Sequence, residues 1–103
     1  MTTRPAITHH VKTYPEFFKQ WIHRNKSFEI RKDDRDYQTG DTIIQHEYLP
    51  ASNKFTGRVG VGKVAYVLRD FVGLSRGYCA LECPFEKMVI RPQQHEEDIN
   101  DLN

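Results

Sequence analysis

Long apolar runs are absent. No stretch approaches the ~18 consecutive apolar residues of a membrane-spanning helix, and the opening MTTRPAITHH has no apolar leader of the secretory kind. The expectation is a cytoplasmic protein with no membrane partner. Cysteine is scarce, with only Cys79 and Cys83. They lie in a segment that reads as a strand, which would separate their Cα atoms by ~13 Å, whereas a disulfide needs less than ~7 Å. Free thiols are therefore expected, packed as small core residues on one strand face. Two cysteines and five scattered histidines give no zinc spacing, because a structural site needs paired ligands at short intervals from two places in the chain. Neither a metal nor a cofactor is expected. Ser27, Ser52 and Ser75 lack the small-residue elbow of a serine hydrolase. Gly57, Gly60 and Gly62 have no helix after them to offer its N-terminus to a phosphate, so they read as strand or bulge glycines.

What is present suffices for one domain. The chain has 103 residues, 38% hydrophobic and 28% charged, with a mean hydropathy of -0.70. That is too apolar for a disordered chain and too polar for a membrane protein. The net charge of +1 hides an uneven distribution. Residues 1–35 hold eight Lys or Arg against four acids, an excess of four positive charges, and residues 36–90 are balanced at six of each. Residues 91–103 set Arg91 against Glu96, Glu97, Asp98 and Asp101, a net of -3. A basic N-terminal third attracts phosphates. The stretch after Arg91 has no apolar period beyond Ile99 and Leu102, so residues 92–103 read as an acidic, disordered tail that solvates the chain end or shields the basic surface.

The pattern gives one helix and several strands. Ile7, His9 and Val11 share one face of a short first strand, and the adjacent His9 and His10 point to opposite faces. Thr13 followed by Glu16 fits a capping box with Pro15 in the first turn, starting a helix from about Tyr14 to Arg24. Its apolar stripe is Phe17, Phe18, Trp21 and Ile22, read as core, and Asn25 is placed to take a left-handed end. KSFEIRK then alternates, which predicts Phe28 and Ile30 buried, with Glu29 and Arg31 on the opposite face. Thr39-Gly40-Asp41 turns into a strand TIIQHEYL, and PASNKFTG reads as a hairpin connection. Val59 and Val61 alternate until Gly62-Lys63, where the phase slips to Val64, Tyr66 and Leu68. Such a slip predicts a bulge that bends one long strand into two sides of a closed sheet. Strands from Gly77 to Glu82 and from Phe85 to Ile90, broken at Pro84, complete the order, with Cys79, Leu81 and Cys83 facing inward. One helix and five or six strands predict an α+β arrangement, a small β-barrel capped by its helix.

The segments HHVKTYPEFFKQW, NKSFEIRKDDRDYQTGD and GYCALE, carrying His10, Lys12, Tyr14, Lys26, Glu29, Arg31, Gly40 and Asp41 in that order, resemble the ASCH domain. This is a PUA-like family of small barrels, and within it the pattern is most similar to an uncharacterised bacterial and phage branch. The similarity runs over roughly residues 9–90, which makes residues 1–91 the ASCH/PUA-like domain. Asn25 stands where relatives place Gly before the lysine. The resemblance implies a PUA-like barrel that binds RNA or a modified nucleotide. Some small ASCH proteins hydrolyse the amide of an N4-acylated cytidine with a lysine, a threonine and a glutamate. Lys26 matches that lysine, but Glu29 holds the threonine position.

Two functions follow as expectations. The first is binding of RNA or a nucleotide by Lys12, Tyr14, Lys26, Glu29, Arg31, Lys32 and Arg35, where Lys and Arg neutralise phosphates and Tyr14, or Tyr37, stacks on an unpaired base. The second is a small amidohydrolase acting on an N4-acylated cytidine or similar nucleoside, with Lys26 and Glu29 as an acid–base pair tuned by burial. An ion pair between Glu29 and Arg31 lining the cleft is the rival account of the same residues.

Overall fold

In the computed structural model, residues 4–89 are described; the acidic stretch 92–103 and Ile90 lie outside them. Strand β1, Thr8–Thr13, buries His9, Val11 and Thr13 and leaves His10 and Lys12 half-buried, so the expected alternation is present with Thr13 as its third inward residue. Ile7 is exposed. Helix α1, Pro15–Ile22, starts at Pro15, whose missing amide hydrogen costs nothing in the first turn. The capping box does not form: Tyr14 is the N-cap and makes no side-chain cap bond. The Thr13 hydroxyl is instead turned inward, donating to Gln45 Oε1 at 2.6 Å. At the other end the left-handed residue is Arg24, with φ of 61°, not Asn25. The Asn25 amide bonds back to the Gln20 carbonyl and the Arg24 amide to that of Trp21, which closes the last turn one residue earlier than the Asn side chain suggested.

The apolar stripe of α1 is divided between two destinations. Phe18 and Trp21 are fully buried, whereas Phe17 is exposed. The Trp21 indole packs edge-on to Phe85 at 5.1 Å and donates to the Cys83 carbonyl at 2.8 Å.

After α1 come β2 (Phe28–Lys32), β3 (Thr42–Leu49), β4 (Lys54–Lys63), β5 (Tyr66–Leu68), β6 (Tyr78–Glu82) and β7 (Phe85–Met88). Lys54 to Gly57, expected within the hairpin connection, already belong to β4. The strands form two sheets. One has the order β1-β3-β4-β7, with β1 parallel to β3 and the rest antiparallel; the other is antiparallel with the order β2-β6-β5. The expected bend occurs where the phase slips: β4 ends at Lys63, Val64 and Ala65 bond to Asp41 and Glu82, and β5 resumes in the second sheet. The register with β7 shifts between Val61 and Gly62, the chain changes sheet at a break just after it, and the two sheets do not close into one barrel. Val67, not Tyr66 or Leu68, packs on the core.

Between the sheets lie Val11, Tyr37, Ile43, Val64, Cys79, Leu81 and Cys83. Both cysteines are free and buried, and burial pushes the Cys79 thiol up to about 11 and the Cys83 thiol to about 12. The turn before β3 is fixed by Asp41, whose carboxylate accepts from Arg4 Nη1 and Nη2 at 2.9 and 2.8 Å, and from His9 Nε2 at 2.7 Å. The amides of Ile7 and Gln38 bond to it as well. Burial opposes ionisation there, but the donors outweigh it and hold the carboxyl well below the usual carboxylate range. No helix among the described residues is long and apolar enough to cross a membrane.

Candidate functional site: a cationic, aromatic pocket at the free edge of strand β2

Strand β2 reverses the expected polarity. Glu29 is 4% exposed, while Phe28 and Ile30 are 59% and 55% exposed. The sequence pattern places the apolar pair inside because burying a charge is costly unless it is paired. Here it is paired. Glu29 Oε1 accepts from Arg31 Nε at 2.9 Å and Nη2 at 2.8 Å, and the Gln45 amide donates to Oε2. Arg31 Nη2 also donates to the Thr13 hydroxyl at 3.1 Å and Nη1 to the Lys12 carbonyl at 3.1 Å. Glu29, Arg31, Thr13 and Gln45 therefore close a ring of hydrogen bonds drawn from three strands, and every member has a partner.

Among the described residues strand β2 pairs only with β6, and its other edge carries no strand. Along that edge runs a cavity of ≈ 610 Å³, to which both faces of β2 contribute. Lys12, Lys26 and Arg31 bring positive charge, and Glu29 lines the cavity beside Arg31. Tyr14, Phe17, Phe28 and Tyr48 bring rings, with Thr13 and Ile30 between them. The Lys12 ammonium lies 4.6 Å from the Tyr48 ring centre. The Lys26 ammonium sits between Phe28 and Phe17, at 5.4 and 5.9 Å. Burial among these rings pushes the Lys26 ammonium below its ordinary value, although the charge of Glu29 works against the shift. Ammonium groups held over aromatic faces keep a favourable environment, and among the described residues neither Lys12 nor Lys26 forms an ion pair, which leaves their hydrogens for a ligand.

Five of the seven residues singled out from the sequence, Lys12, Tyr14, Lys26, Glu29 and Arg31, share this pocket. Lys32 and Arg35 do not line it. Lys32 is exposed on the outer face of its sheet, and Arg35 Nη1 donates to the His10 carbonyl at 2.6 Å. Tyr37 is 1% exposed and packs against the His9 ring at 4.7 Å, so it is not available to stack on a base. Phe17, Phe28, Ile30 and Tyr48 were not anticipated. The first three carry apolar patterns that read as core, and Tyr48 joins only through the β1–β3 pairing, which sets Lys12 beside His46. Glu29 is committed to Arg31 and Gln45, the ion-pair account of that carboxylate. Among the described residues no three His, Cys, Asp or Glu side chains gather as a metal site would require.

Fold and site define a small α+β domain, mostly β-sheet, with a ligand-sized pocket of rings and cations beside one open strand edge. The chain belongs to the family described as "Domain of unknown function (DUF3850)", which matches residues 8–83 and so spans every pocket residue. It is also 36% identical over 77 residues to an uncharacterized 12.9 kDa protein in the GpA 3′ region of Escherichia phage P2, covering 69% of each chain.

Proposed function

We propose that this chain is a cytoplasmic, PUA-like (ASCH) domain that binds RNA or a modified nucleotide in the pocket lined by Lys12, Tyr14, Lys26, Glu29 and Arg31. The observation that carries the reading is the grouping of three cations with four aromatic residues around ≈ 610 Å³. Ligand pockets span roughly 300 to 1,000 Å³, and a nucleotide asks for both a flat apolar surface and positive charge. Its base stacks on a ring, and its phosphate is met by Lys or Arg. Glu29, held by Arg31 and Gln45, fixes the Arg31 guanidinium that lines the pocket. The order of His10, Lys12, Tyr14, Lys26, Glu29, Arg31, Gly40 and Asp41 along the chain supports the PUA-like reading. The test is titration of fluorescently labelled single-stranded RNA and of ribonucleoside monophosphates at micromolar protein over a range of salt. Salt-dependent binding that Lys26→Ala weakens about tenfold is expected; no salt-dependent binding of either probe overturns the proposal.

The depressed Lys26 ammonium favours a second reading, hydrolysis of an N4-acylated cytidine with Lys26 as the proton-transfer group. The engagement of Glu29 by Arg31 and Gln45 weighs against it. Incubation with N4-acetylcytidine and chromatography for cytidine decides between the two, and turnover abolished by Lys26→Ala would favour the hydrolase.

A further inference from the structure

The pocket does not end at the edge of β2. Phe28 and Ile30, which line it, also stand on the outer face of the β2-β6-β5 sheet. The register puts Phe28, Glu82 and Tyr66 in one row across that face, Ile30, Ala80 and Leu68 in the next, and Lys32 opposite Tyr78 in the third. Directly paired residues point to the same side, and the other side carries Glu29, Leu81 and Cys79 into the interior. Three rings are therefore displayed together. Tyr66 is 61% and Tyr78 43% exposed, beside Phe28. Among the described residues nothing covers them.

Strand spacing sets their separation. Phe28 and Tyr66 are two strands apart, about 10 Å, and Tyr78 lies four residues along β6 from their row, about 13 Å. Each ring is thus far enough from the others to take its own base. Charge runs the same way, since Lys26 and Lys32 flank the two ends of β2. Glu82, the one carboxylate in these rows, accepts the Ser27 hydroxyl at 3.1 and 3.0 Å. This face sets three rings around a row of Ile30, Ala80 and Leu68, is bordered by Lys26 and Lys32, and is continuous with the pocket through Phe28 and Ile30, so a strand seated in the pocket meets stacking rings and positive charge along it.

We infer that a single RNA strand with one nucleotide in the pocket continues over Phe28 onto the outer face of the β2-β6-β5 sheet, with further bases stacking on Tyr66 and Tyr78. The inference rests on the nucleotide reading of the pocket and adds the polymer and its path. Removal of one stacking ring weakens a single-strand complex by about five- to a hundredfold.

The experiment compares a fluorescein-labelled mixed-sequence RNA octamer with the four ribonucleoside 5′-monophosphates, on wild type, Tyr66→Ala/Tyr78→Ala and Lys26→Ala. Far-UV circular dichroism checks that each variant is folded, and Tyr66→Phe/Tyr78→Phe keeps the rings as a second control. The expected result is that the double alanine variant loses tenfold or more in octamer affinity with little change toward monophosphates, that the phenylalanine variant keeps both, and that Lys26→Ala loses both. Octamer affinity unchanged in the double alanine variant overturns the path while leaving the pocket reading in place. Wild type binding neither probe overturns both. A concentration-dependent dimer abolished by the tyrosine changes, with octamer binding unaffected, would assign the face to a second copy of the chain and also overturn the path.

Discussion

Asp41 shows what one side chain does for this fold. It is fully buried and yet ionised, because Arg4, His9 and two backbone amides all point at its two oxygens. The contact joins the segment before β1 to the turn before β3, and so sets the parallel pairing of those strands. Asp41→Asn keeps the shape but removes the charge, leaving Arg4 with only the exposed Asp36 carboxylate as counter-ion. A loss of about 2 to 4 kcal/mol is expected at neutral pH. The sign of its pH dependence follows from the depressed carboxyl. The folded-state pKa lies below the unfolded value of about 3.9, so the contribution is fully present above pH ~4 and is lost as pH falls below that. Urea midpoints measured from pH 7 down to pH 2.5 should show the wild-type and Asp41→Asn curves converging on the acid side. A gap that stays constant through that range would show that the charge on Asp41 is not what the fold uses.

Helix α1 can approach the first sheet only because two positions of β4 have no side chain. A Cβ on Gly60 would stand 2.8 Å from the Trp21 ring, and one on Gly62 would stand 2.6 Å from the Pro84 carbonyl and 2.9 Å from the same indole. Both substitutions overpack a filled interface, at a cost of roughly 1 to 3 kcal/mol each. Gly62→Ala should be the worse of the two, because its nearest neighbour is backbone held in the β6–β7 connection, whereas Gly60→Ala meets side chains. Urea denaturation followed by emission of Trp21, the single tryptophan, gives the order directly. Equal costs would mean that the carbonyl yields as readily as the ring. The same elements show what the sequence made legible. Helix α1, the turn at Gly40, the inward cysteines and the change of direction after β4 all follow from local pattern and turn chemistry. The inversion of β2 does not. Glu29 and Arg31 face inward because Gln45 of β3 and Thr13 of β1 meet them there, and partners so distant in the chain leave no trace in the alternation of KSFEIRK. Four of the pocket residues, Lys12, Tyr14, Lys26 and Arg31, were legible because cations and a tyrosine cluster in the sequence, and Glu29 because it alternates with Arg31 on one strand face. The phenylalanines were not, since an exposed ring and a buried one have the same pattern.

At the scale of the whole molecule, charge is arranged against itself. The pocket cations Lys12, Lys26 and Arg31 belong to a segment with an excess of four positive charges, while the last thirteen residues carry a net of -3 and reduce the total to +1. Association with a polyanion depends on the summed field as well as on contacts, and that field reaches only about 10 Å at 0.1 M salt. Converting Glu96, Glu97, Asp98 and Asp101 to their amides changes four charges and brings the formal total to +5. If the pocket takes RNA, the amide variant should bind a labelled octamer several-fold tighter at 20 mM salt, mostly through a faster association rate. The advantage should disappear near 0.5 M, where the field is screened within a few ångströms. Stopped-flow association at both salt concentrations separates the two contributions. An advantage that persists at high salt, or that lies in the dissociation rate, would mean that the acidic residues touch the binding surface directly instead of acting through the field.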